Sequence, residues 1–127
     1  MGEIIFGTWF FGPNFGFLNV PRNVELRHDL GKQVPGAGIS VYRKDAYGFR
    51  GDYGGPDRIQ VLVIGGSTTN ELYVGEGATW VDVLGGHLKA AGIRLVMANA
   101  GVDGHSTVGH IKSFERWFPL VPGLRPR

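Results

Sequence analysis

Ile59-Gln60-Val61-Leu62-Val63-Ile64-Gly65-Gly66-Ser67-Thr68-Thr69-Asn70 passes from a largely apolar run into a glycine pair and three hydroxyl residues. A short apolar run bounded by glycine reads as a buried parallel strand, here over residues 59–64. A hydroxyl at the C-terminal tip of such a strand stands where open α/β sheets place ligands and chemistry. Paired glycines let the backbone turn sharply and let another molecule come close. Ser67 is therefore the candidate nucleophile. From the residues alone, the same stretch also reads as a tight strand-to-helix turn whose hydroxyls satisfy backbone groups.

Downstream, Thr79 followed by Asp82 three residues later makes a capping-box pair. The helix it opens carries Trp80, Leu84 and Leu88 at i, i+4, i+8, with Val81 beside them, as one apolar stripe. Gly92 falls at its C′ position. Arg94-Leu95-Val96-Met97-Ala98 reads as a second strand, so that strand, helix and strand form a βαβ unit. A second glycine-bearing loop follows, Gly101-Val102-Asp103-Gly104-His105, and Ser106 or Thr107 caps another helix. Its apolar positions are Val108, Ile111, Phe114, Trp117 and Phe118, and Pro119 and Pro122 end it. Trp80 and Trp117 read as packing residues on helical faces, and Trp9 as arm packing.

Upstream, residues 1–57 read as an irregular arm and residues 58–127 as the ordered domain. The arm holds four of the seven prolines, Pro13, Pro21, Pro35 and Pro56, which argue against long helices. An extended stretch is expected within residues 20–30, an edge strand at Ile39-Ser40-Val41-Tyr42, and a turn-rich connector over residues 45–55. Ile4-Ile5-Phe6-Gly7-Thr8-Trp9-Phe10-Phe11 is apolar and aromatic but falls far short of the roughly 20 residues a membrane span needs. It reads as a packed strand or arm, with membrane association through it as the alternative. No basic stretch precedes it and no small-residue cleavage site follows, so it makes a poor signal peptide. Both a cytoplasmic and an exported or membrane-associated location stay open.

The 127 residues suit one domain. Twenty-two glycines, well over twice the usual share, are gathered at expected turns and suggest a loop-rich α/β protein. The absence of cysteine excludes disulfides, thiolate metal sites and cysteine nucleophiles. With 13 basic and 11 acidic residues scattered along the chain, no nucleic-acid surface is indicated. Four histidines without ligand spacing such as His-Glu-x-x-His predict no metal site.

Three segments carry a resemblance: Gly65-Gly66-Ser67-Thr68-Thr69, Asn99-Ala100-Gly101-Val102-Asp103-Gly104-His105-Ser106-Thr107, and Asp45-Ala46-Tyr47-Gly48-Phe49-Arg50-Gly51. On them, the chain from Tyr42 to Arg127 resembles the SGNH (GDSL-type) hydrolases, a family of esterases and lipases. The resemblance implies a three-layer α/β/α, flavodoxin-like fold, incomplete, with a proline- and glycine-rich N-terminal arm. It implies a small-molecule acyl or acetyl ester as substrate, an acyl-serine intermediate on Ser67, and no cofactor. It places Ser67 as nucleophile and Gly104 in the oxyanion hole. The family's later asparagine block and its Asp-x-x-His block do not occur in residues 1–127. The chain is thus expected to be the N-terminal part of a larger hydrolase, inactive alone, with an unpaired sheet edge through which it self-associates.

His105, in the loop after the second strand, is the one local histidine placed to approach Ser67 as a base, although loop histidines more often serve as solvated hydrogen-bonding groups. His110 is a weaker candidate, and His87 and His28 read as surface residues. The alternative reading is a non-catalytic flavodoxin-like binding domain holding a phosphate or a flavin at residues 65–70. That loop lacks the lysine of a Walker A motif and the dinucleotide glycine spacing.

Overall fold

A computed structural model describes residues 18–127. The expected packing of Trp9 and the apolar stretch of residues 4–11 lie outside the described residues. The described residues are mixed α/β, with two small sheets and three α-helices. In order these are β1 (Val24–Asp29), β2 (Ile39–Lys44), β3 (Val61–Gly65), the single-turn α1 (Ser67–Asn70), α2 (Trp80–Ala90), β4 (Met97–Gly101) and α3 (Thr107–Arg116).

The extended stretch and the edge strand expected upstream are the two arms of one antiparallel hairpin, with Val24 opposite Lys44 and Asp29 opposite Ile39. Alternation sets its two faces. Ser40, Tyr42 and Lys44 are buried, whereas Glu25, Arg27 and Arg43 are exposed and form ion pairs with one another. Asp29 ends β1 by accepting from the Gly31 N–H at 3.1 Å, which caps the 3-10 turn Leu30–Lys32. The segment before β3 also supplies core. Leu18, Val20, Phe49 and Tyr53 pack with Ile59, Ala98, Ala100, Trp117, Phe118 and Val121. Trp117 is fully buried, and its indole N–H donates to the Tyr47 carbonyl at 2.7 Å.

β3 and β4 pair in parallel, Val61 opposite Met97 and Gly65 opposite Gly101. Both strands start later than the apolar runs suggest. The ladder is set by Val96, whose carbonyl accepts from the Gln60 and Val61 N–H groups and whose own N–H is taken by the Gln60 side chain. Arg94 and Leu95 therefore lie outside it. β3 is half-buried along its whole length rather than enclosed. The far side of β4 is bridged by Arg50, whose N–H and carbonyl both bond Asn99 at 2.9 Å. The open edge expected on the second strand is thus partly filled, and among the described residues the edge without a strand is that of β3.

Thr79 and Asp82 form the expected capping box at the start of α2, and Gly92 adopts a left-handed φ of +86° just past its end. The apolar stripe is not the buried face: Val81 is 3% exposed, but Trp80 and Leu84 are 41% and 39% exposed. A two-stranded parallel layer is too narrow a floor to cover the whole stripe. α3 divides in the same way. Trp117 and Phe118, just beyond it, enter the core, while Val108, Ile111 and Phe114 face outward. Trp80 is thus a correction to the packing expected of it. Among the described residues no helix is long and apolar enough to cross a membrane.

Candidate functional site

Gly65 and Gly101 lie side by side at the C-terminal tips of β3 and β4, and α1 crosses directly above them. Both positions must be glycine for this approach. A Cβ at Gly65 would lie 2.6 Å from the Thr69 Cβ, and one at Gly101 would lie 2.7 Å from the Thr69 carbonyl carbon. Buried Asn99 fastens the seat: its Nδ2 donates to the Thr69 carbonyl at 2.7 Å and its Oδ1 accepts from the Gly101 N–H at 2.8 Å. The turn ends at Glu71, which takes the left-handed conformation at φ +50°.

This seat exposes Ser67 at the first position of α1 while burying Thr69 and Asn70. Neither the Ser67 hydroxyl nor its N–H has a hydrogen-bond partner among the described residues. Gly104, at φ +80°, is likewise exposed with an unpartnered N–H. The loops carrying the two residues touch. The Val102 N–H donates to the Gly65 carbonyl at 3.0 Å, and a Cβ on Gly66 would lie 3.1 Å from the His105 carbonyl oxygen. Ser67 and Gly104 are thus brought to one edge of the parallel pair.

A polar chain locks these loops together. Tyr42 Oη donates to Asn70 Oδ1 at 2.9 Å, and Asn70 Nδ2 donates to Asp103 Oδ1 at 2.9 Å. Burial pushes the Tyr42 phenol up to about 12, so it stays a donor at neutral pH. Arg50, 2% exposed, reaches behind α1 and donates to the carbonyls of Asn70, Glu71 (3.0 Å) and Val74 (2.7 Å). It also pairs with Glu76 at 2.7 Å and stacks 4.5 Å over the Tyr42 ring. Lys44 Nζ, also buried, donates to the Gly101 carbonyl at 2.5 Å. Burial, reinforced by the Arg50 charge, lowers its ammonium to about 7.

His105 sits beside the same edge but is committed elsewhere. Its Nε2 lies 2.9 Å from the Leu18 carbonyl, which only accepts, so that nitrogen carries the proton. Nδ1 alone is left as a basic atom, and no bond joins the ring to Ser67. His110 lies 6.3 Å from it, centroid to centroid, with a buried Nε2 that has no partner. His87 is exposed on α2; His28 is half-buried against Tyr73, 4.8 Å away. No cluster of three metal-ligating side chains occurs among the described residues.

Reading the sequence singles out Ser67 and Gly104 as candidates. It assigns nothing to Arg50, Tyr42 or Lys44. Alternation in β2 was the available signal for the last two, since it puts both on the face shared with Ser40. Arg50, lying between Phe49 and Gly51, carries no periodicity to betray its burial. No family model matches the chain, and no curated protein or solved structure resembles it significantly.

Proposed function

We propose that Ser67 is the nucleophile of a serine ester hydrolase of the SGNH type, acting on acyl or acetyl esters. The observation that carries this is the pairing, at one sheet edge, of an exposed Ser67 hydroxyl with two unspent N–H donors, those of Ser67 and Gly104. Exposed N–H groups without a protein partner, such as those at the start of a helix, are free to bond a ligand. Two left open beside a serine are what a developing oxyanion requires. The parallel β3–β4 pair with α2 as crossover, the half-covered β3 and the outward apolar residues of α2 and α3 are consistent with one part of a three-layer, flavodoxin-like sheet.

In the proposed reaction, Ser67 Oγ adds to the ester carbonyl carbon and its proton passes to a base. The tetrahedral oxyanion accepts from the Ser67 and Gly104 N–H groups. The C–O bond to the alcohol then breaks, the base returns the proton to the leaving oxygen, and water cleaves the acyl-serine. A serine hydroxyl is a weak nucleophile without such a base. His105 donates its Nε2 proton to Leu18, and no Asp-x-x-His occurs in the sequence. Among the described residues no base is hydrogen-bonded to Ser67, so in this reading the 127 residues alone hydrolyse esters weakly or not at all.

Imidazole can be supplied in place of that base. A fluorophosphonate probe with added imidazole is expected to phosphonylate the chain at Ser67, as located by peptide mass spectrometry, and not the Ser67→Ala variant. Equal labelling of both, or no labelling of either, overturns the assignment. The unpartnered N–H groups of Ser67 and Thr68 also favour a second reading, a phosphate or flavin held at residues 65–70. Saturable FMN binding that survives Ser67→Ala, without labelling, would select it.

A further inference from the structure

At the opposite end of the β3–β4 pair, where the strands begin, a cleft of about 440 Å³ opens between α2 and the segment leading into β4. That volume lies within the roughly 300–1,000 Å³ of small-molecule sites. Its floor is apolar: Tyr53 and Val81 are buried, and Val96 and Met97 half-buried. Its rim is basic. Arg58, Lys89 and Arg94 line it, are exposed, and have no carboxylate partner among the described residues. Arg58 is folded inward, with its guanidinium over Gly54, where an added Cβ would lie 3.1 Å from it. Two carboxylates also line the cleft. Asp82 is held by the Thr79 cap, and Asp52 is exposed. Three cations thus face two carboxylates, one of them tied up in hydrogen bonds, which leaves the cleft net positive.

An independent feature keeps the cleft open. α2 carries Gly85 and Gly86 in its interior, where glycine is a poor helix former compared with alanine. Gly85 lines the cleft opposite Met97, and a Cβ there would meet the sulfur at an ordinary 3.7 Å. Close packing therefore does not require the glycine. Any larger side chain would fill the space.

We infer that this cleft binds a small amphiphilic anion, its apolar body against Tyr53, Val81 and Met97 and its anionic head among Arg58, Lys89 and Arg94. A monoanionic or dianionic head on a short alkyl or aryl body matches both the charge and the volume. The site is separate from the Ser67 edge and stands or falls independently of the hydrolase reading.

Calorimetric titration of the full chain with octyl phosphate, inorganic phosphate and octanol tests it. Octyl phosphate is expected to bind at least tenfold more tightly than either half-molecule, and more weakly as salt rises. Arg58→Gln with Arg94→Gln should weaken it tenfold or more and flatten the salt dependence. Gly85→Leu should abolish octyl phosphate binding while leaving weak phosphate binding in place. That change also raises helix propensity, so a thermal melt at least as high as the parent's shows that the variant is folded. No binding of octyl phosphate, binding no tighter than that of phosphate or octanol, or binding unchanged in both variants overturns the inference.

Discussion

Lys44 is an ammonium side chain 2% exposed, with a backbone carbonyl as its hydrogen-bond partner and no carboxylate within ion-pair distance among the described residues. The charges around it are Arg50, which opposes protonation, and Asp45, Asp103 and Glu76, which favour it. The balance, dominated by burial, brings it from its ordinary 10.5 down to about 7. Because the folded value lies below the unfolded one, the unfolded chain binds more protons between about pH 7 and 10.5. Lys44 therefore costs stability most fully below pH 7, and the cost is relieved as pH rises through that window, by up to about 1.4 kcal/mol per unit. Lys44→Met keeps the stem and removes the charge. It is expected to melt higher than the parent at pH 6 to 7, with the difference shrinking toward pH 10. Parallel melting curves across that range would show that Lys44 is paired or solvated.

Elements hold together here where glycine permits and where a partner surface exists. Gly86 in α2 is exposed, with nothing within 4 Å of an added Cβ. Gly101 at the tip of β4 has the Thr69–Asn70 backbone in the place of its Cβ. The two substitutions to alanine are therefore expected to act in opposite directions under chemical denaturation. Gly86→Ala should stabilise by up to about 1 kcal/mol, whereas Gly101→Ala should destabilise by about 1–3 kcal/mol as α1 is lifted from its seat. Equal effects would show that α1 does not rest on the strand tips. The local signals of these elements were legible in the sequence: the Thr79–Asp82 box, Gly92 as helix stop, and the glycine pair before Ser67 all depend on near neighbours along the chain. The strand limits and buried faces were not. Val96 fixes the ladder through the distant Gln60, and whether Trp80 or Val81 is covered depends on how wide a sheet lies beneath α2.

The molecule as a whole has a well-covered half and a bare half. Phe49, Trp117, Phe118 and Val121 close the first around β4, with Arg50 bridging its outer edge. On the other side, β3 has no further strand among the described residues, and Val108, Ile111 and Phe114 of α3 are 66%, 54% and 62% exposed. The site divides along the same line. Ser67 was legible because it follows a strand tip and a glycine pair, and Gly104 only through the resemblance that its loop carries. Arg50, Tyr42 and Asp103, which fix their loops, act across 20 to 33 residues of sequence that no local pattern spans. A free strand edge beside an exposed apolar helix face is a template for another chain. The isolated chain is therefore expected to associate with itself as concentration rises, with a sedimentation coefficient that falls on hundredfold dilution. Ile111→Lys with Phe114→Glu changes residues that face outward, so the fold should be kept, with far-UV circular dichroism as the check. If α3 forms the contact, this double variant should sediment as a monomer throughout. If the β3 edge alone forms it, association should persist in the double variant and be lost in Leu62→Pro, since the Val61 and Val63 backbone groups turn to β4 and the Leu62 N–H turns to the open edge, where its loss disfavours strand addition. A parent chain that stays monomeric at every concentration would mean that neither surface is a contact site.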